Sequence, residues 1–149
     1  MTLTLDEFKV PVKKGPTKEQ LERAIQALAE VKEVERKFYA RAAARGEHPS
    51  YVTGNDYEYC CVVLEKANLR WSLQSRFLNY NIKARAKKIT RHDDHYIVEF
   101  DYQNRYTRIL KASPETSYLL EPDTRYDYRI VYNPSTGVGH VSMLGKHAT

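Results

Sequence analysis

With 149 residues, 42% hydrophobic and 29% charged, the chain has the composition of a globular protein, which argues against a disordered chain, and no apolar run reaches the ~18 residues of a membrane span. The net charge of +5 is unevenly distributed: residues 66–91 carry eight Lys/Arg and no carboxylate, 1–65 carry ten Lys/Arg against eleven acids, and 92–149 carry six against eight. A cationic excess confined to one segment disfavours an acidic binding face and points to an anionic partner.

Neither a basic leader nor a long apolar stretch opens the chain. The only cysteines, Cys60 and Cys61, are neighbours too close for ordinary disulfide geometry, so a reduced, cytoplasmic setting away from membranes is expected. The length suits a single domain over 1–149.

Residues 1–15, with Leu3, Leu5, Phe8, Val10 and Val12 spaced irregularly or by two, are expected as an extended arm, at most an edge strand. Thr17 and Gln20 then form a capping box, and Leu21, Ile25, Leu28, Val31, Val34 and Phe38 follow at steps of three and four, predicting a long helix that Gly46 ends. Arg36, Lys37, Arg41 and Arg45 crowd its later turns, where Glu30, Glu33 and Glu35 make helix-surface salt pairs the simpler account. Tyr57, Cys60, Cys61, Leu64, Ala67 and Trp71 repeat at helical spacing and predict a second helix over 55–79. Leu69, Trp71 and Leu73, alternating with Arg70 and Ser72, also fit a strand.

From Tyr80 onward the period is two. Ile82, Ala84 and Ala86 alternate with Lys83, Arg85 and Lys87; His92-Asp93-Asp94-His95 reads as a turn; Tyr96, Val98, Phe100 and Tyr102 alternate again. Further strands are expected over 105–111, 125–132 and 140–144, separated by interruptions at Ser113-Pro114 and Pro122-Asp123 and by the loop 133–139, with a polar tail over 145–149. The resulting expectation is an α+β fold: an N-terminal antiparallel helical hairpin (17–79) packed on a C-terminal antiparallel β-meander of four or five strands (80–144).

The functional expectation is a non-enzymatic binding protein that engages nucleic acid or a nucleoprotein through a basic, tyrosine-interleaved surface. Lys83, Arg85 and Lys87 on one strand face, flanked by Lys88 and Arg91, would neutralise successive phosphates, and Tyr80, Tyr96 or Tyr128 would stack bases. The competing account pairs these cations across strands with Glu99, Asp101 or Asp127. The alternative function is a protein-docking inhibitor or assembly subunit acting through the tyrosine-rich strand Tyr126, Tyr128 and Tyr132.

Motifs for chemistry are thin. His92, Asp93, Asp94 and His95 have metal-ligand types, but a site would need a third partner such as His140 brought from far away. Gly137-Val138-Gly139 lacks the following helix and Lys of a phosphate loop, and Cys60 and Cys61 suit inert core thiols. No cofactor or metal is called for.

Overall fold

In the computed structural model the described residues are 9–49, 51–74, 79–100, 124 and 126–146. The first strand, β1 (Val10–Lys14), buries Val10 and Val12 and exposes Pro11 and Lys13. It is not an edge: β1 pairs on one side with β2 (Asn68–Gln74) and on the other with β7 (Val138–Lys146). An arm whose two valines share one face can bury them only under cover from elsewhere, and a place between two strands also satisfies its backbone amides and carbonyls.

Helix α1 (Lys18–Ala44) begins as its capping box dictates: Gln20 N–H donates to Thr17 Oγ1 at 3.2 Å and Thr17 N–H to Gln20 Oε1 at 2.9 Å. At its other end Gly46 takes φ +71°, letting Gly46 N–H reach Ala43 O and Glu47 N–H reach Ala42 O, a Schellman closure. The buried line runs through Leu21, Ala24, Ala27, Val31 and Ala42, while Ile25, Leu28, Val34 and Phe38 are half-buried. Alanines at the centre of contact let the helix approach closely, and the larger residues of the expected stripe flank it. Of the crowded cations, Arg36 pairs along the helix with Glu33 at 2.7 Å as anticipated, whereas Arg41 pairs with Asp56 of the segment 54–64 at 2.6 Å.

Helix α2 (Gly54–Leu64) is short, and its Cys60 and Val63 pack on Ala27 and Val31 in a small core of their own. The helix expected over 55–79 stops at Leu64, passes through a 3-10 turn (Glu65–Ala67) and becomes β2, so a hairpin of two long helices does not form. The strand reading wins because partners are available. Leu69, Trp71 and Leu73 all point to one face, where Trp71 lies in register with Ile82 and Leu73 with Val12, and Arg70 and Ser72 point to the other.

Four further strands follow: β3 (Asn79–Arg85), β4 (Lys88–Arg91), β5 (Tyr96–Phe100) and β6 (Tyr126–Asn133). The described strands form one antiparallel sheet of seven, ordered β3-β2-β1-β7-β6-β5-β4, in place of the four or five expected. Strands β3 and β4 are consecutive in sequence yet occupy opposite edges, so the sheet has to curl. The link between them is tied to both sides, Ala86 N–H donating to Ala67 O at 3.0 Å and Lys87 N–H to Glu99 O at 2.8 Å. The turn at 92–95 is closed by His92 N–H to His95 O at 2.9 Å. Gly137, at φ +73°, ends the turn between β6 and β7 with its N–H on Asn133 O.

The main core gathers Trp71, Phe100, Tyr126, Tyr128, Ile130 and Tyr132 from the sheet with Leu21 and Ala24 from α1. The Trp71 ring meets those of Phe100 and Tyr132 edge-on, at centroid distances of 6.4 and 5.3 Å. Helices and an antiparallel sheet make the fold α+β, and no helix among the described residues is long and apolar enough to cross a membrane. The strand expected over 105–111, the interruptions at Ser113-Pro114 and Pro122-Asp123, Asp101 and Tyr102 lie outside the described residues.

Candidate nucleic-acid interface

The antiparallel register of β2 and β3 sorts their side chains into two sets. Leu69↔Ala84, Trp71↔Ile82 and Leu73↔Tyr80 face the core; Asn68↔Arg85, Arg70↔Lys83, Ser72↔Asn81 and Gln74↔Asn79 face away. Those eight outward positions hold three cations, four amides and a serine, and no acid. Arg70 and Lys83 stand directly opposite one another, where like charges repel at a Cβ separation of about 5 Å. Neither makes an ion pair among the described residues. Ser72 Oγ donates to Asn81 Oδ1 at 2.6 Å, fixing the polar neighbour of that cation pair.

Two shallow grooves of about 530 and 500 Å³ meet at this pair, both lined by Gln20, Arg70 and Lys83. One adds Lys14, Ser72 and Asn81; the other adds Arg23, Lys66, Asn68 and a single carboxylate, Glu65. Local geometry builds this concentration. The bulge between Val12 and Lys14 brings Lys14 against Ser72, the capped first turn of α1 brings Gln20 and the next turn Arg23, and the 3-10 turn delivers Lys66 just ahead of β2.

The sequence-predicted cations divide. Lys83, Arg85, Lys87 and Lys88 are exposed and make no ion pair among the described residues. Lys83 and Arg85 belong to the acid-free ladder, whereas Lys87 and Lys88 lie at the crossing to β4, where Lys88 faces Glu99 in register and Glu99 in turn faces Arg129. That half of the sheet carries alternating charge. Arg91 leaves the candidate set: it clamps Glu22 of α1, with Nε donating to Oε1 at 2.7 Å and Nη2 to Oε2.

Stacking by the proposed rings is corrected too. Tyr128 is 0% exposed and Tyr96 5%, with the Tyr96 hydroxyl donating to Glu22 Oε1 at 3.1 Å, so neither ring presents a face to a ligand. Tyr80 is half-buried against the core. Tyr126 and Tyr132 are buried beside Tyr128, which removes the tyrosine face on which protein docking was to rest. A curled sheet encloses its aromatic face, and rings of this area gain most when fully dry. Among the described residues the exposed tyrosines are on the helical side, Tyr39 of α1 and Tyr57 and Tyr59 of α2, with Tyr51 before it.

No protein-family model matches the chain, and no curated protein or solved structure matches it. The surface itself has to carry the functional reading.

Residues for alternative chemistry do not converge. The His92 and His95 rings stack at 4.7 Å in the β4–β5 turn and Asp94 holds His95 Nδ1 at 2.6 Å, while His140 sits on β7 in register with Val131 and Pro11. Among the described residues no three His, Cys, Asp or Glu side chains are placed to hold a metal ion. Burial pushes the Cys60 thiol above its ordinary value, disfavouring the nucleophilic thiolate.

The Glu22–Arg91 clamp has a measurable signature. The bond from Arg91 holds the Glu22 carboxyl below its ordinary value of 4.5, with the Tyr96 hydroxyl adding to the effect. A carboxyl lowered on folding contributes stability that is present above its unfolded value and lost as pH falls through the lower folded value. Thermal melting below pH 4.5 is therefore expected to fall more steeply for the wild type than for Glu22→Gln. Parallel acid limbs would show that the clamp adds nothing to stability.

Proposed function

We propose that the protein binds nucleic acid through the outward face of the β2–β3 ladder and the grooves beside it. The observation that carries this reading is the in-register pair Arg70↔Lys83 in a ladder face without a single acid. Two cations held face to face oppose folding unless an anion lies over them, and a phosphate does so. Alternate positions on a strand lie about 6.6 Å apart, so Lys83 and Arg85 reach successive backbone positions. Lys14, Arg23 and Lys66 extend the cationic track along the grooves. The amides of Asn68, Asn81 and Gln74 supply donors and acceptors that suit unpaired base edges. The roles first assigned to Lys83 and Arg85 stand in this reading, and Arg70, Lys66, Arg23 and Lys14 join them.

Titration of a fluorescein-labelled single-stranded oligonucleotide across about 50 to 200 mM salt tests the proposal. With five to six phosphates neutralised, the logarithm of affinity should fall against the logarithm of salt with a slope of about −3.5 to −4. Absence of binding at the low-salt end, or affinity indifferent to salt, removes the proposal.

A further inference from the structure

A cavity of about 760 Å³ lies where α1 and α2 meet the link between β3 and β4, reached from the ladder only at its end, through Arg85. It sits on a seam. Ile25, Leu28 and Ile89 pack on the core under the sheet, whereas Val31 belongs to the separate core between α1 and α2, against which Leu64 also packs. The two cores do not merge, and Ile25, Leu28, Leu64 and Ile89 stay half-buried. Four aliphatic side chains held half-wet around one space form a floor that an apolar group would dry.

The rim has the opposite character. Lys32, Arg85, Lys87 and Lys88 stand around the cavity with Glu35 and Glu99, leaving a net charge of +2, and no ion pair forms among them. The Glu99 backbone carbonyl accepts the Lys87 backbone N–H, and Glu99 faces Lys88 in register, so the link that closes the curled sheet also fixes the backbone that carries the cations at the mouth. Nucleic acid matches the rim but leaves the floor wet. A neutral lipid matches the floor only, and an aliphatic amine meets repulsion at the rim.

We propose that this cavity binds an amphipathic organic anion, an alkyl chain bearing one carboxylate, with the chain on the floor formed by Ile25, Leu28, Leu64 and Ile89 and the carboxylate at Lys87 and Lys88. The volume falls within the range of pockets that enclose small ligands. The site is separate from Arg70 and Lys83 and stands whether or not nucleic acid binds.

Displacement of 8-anilinonaphthalene-1-sulfonate, measured with dodecanoate, decanoate and dodecylamine below their micellar concentrations, tests it. Dodecanoate should bind roughly tenfold more tightly than decanoate, as two methylenes removed from water imply. It should also exceed dodecylamine by about tenfold, the scale of two partly exposed charge contacts. Ala29→Trp, at an exposed cavity-lining position, should abolish binding by filling the floor, and Lys87→Glu with Lys88→Glu should reverse the preference between the acid and the amine. Circular dichroism of both variants checks that they remain folded, and an unchanged oligonucleotide affinity of Ala29→Trp separates this site from the ladder. Failure of dodecanoate to displace the dye, affinity independent of chain length, or dodecanoate binding undiminished in a folded Ala29→Trp overturns the proposal. Loss of folding in that variant leaves the lysine reversal as the deciding measurement, and an unaltered preference there overturns it equally.

Discussion

Replacement of Trp71 by alanine is expected to lower the unfolding free energy by about 3–5 kcal/mol, the range for emptying the site of a large buried aromatic. Trp71 is 1% exposed, its ring wedged edge-on between Phe100 and Tyr132. Collapse is restricted on the remaining side: even a Cβ on Gly15 would come within 3.0 Å of Trp71 Cζ3 and 2.7 Å of Tyr132 Cζ, so that turn is already in tight contact. Trp71→Phe should behave differently. Among the described residues Trp71 Nε1 has no hydrogen-bond partner, and a buried orphan donor costs about 1–3 kcal/mol. Phenylalanine removes that penalty along with some volume, so a net loss of about 1 kcal/mol or less is expected. Urea unfolding followed by circular dichroism measures both, since Trp71 is the only tryptophan and its fluorescence disappears with it. A loss below about 1 kcal/mol for the alanine variant would mean that the aromatic cluster does not hold the sheet to α1.

Reversing the opposed pair, Arg70→Glu with Lys83→Glu, is expected to weaken oligonucleotide binding on the order of 100-fold near 0.1 M salt. Two lost phosphate contacts alone lower the salt slope by about 1.4 units and account for roughly 20- to 30-fold, and two anions facing the backbone add repulsion. The control is Lys37→Glu with Arg45→Glu, which changes net charge equally toward the far end of α1, about 20 to 30 Å along the helix from Arg23. If both doubles weaken binding alike, the nucleic acid responds to overall charge and the ladder has no special role. Stability adds a second reading: with the like-charge contact gone from one side of the pair, Arg70→Gln alone should melt no lower than the wild type.

The limits of sequence reading are clearest in the segment around Arg70. The excess of cations over 66–91 is visible in composition, because charge needs no partner to be counted. Their placement on a helix or a strand depends on Val12 and Ile82, residues distant in the chain that cover Leu73 and Trp71. Local periodicity over 69–73 fitted both, and only the neighbours chose. The same logic moved β1 from the margin to the middle of the sheet and drew Arg91 out of the basic surface toward Glu22, 69 residues away. Tyrosine misled for a related reason: its hydroxyl suggests a wet surface, but rings alternating on one strand go wherever that face goes, and the curl of the sheet turned it inward.

Signals whose partners lie within a few residues were readable directly: the Thr17–Gln20 cap, the Gly46 stop, the 92–95 turn, the alternation of β3, β5 and β6, and the α+β class itself. Strand order, the meeting of the two sheet edges at Ala86 and Lys87, and the pairing of Arg70 with Lys83 were decided by the tertiary structure. Hydrogen bonds within a turn or cap are specified by local residue types, whereas the face a strand presents is specified by whatever distant segment buries its other side.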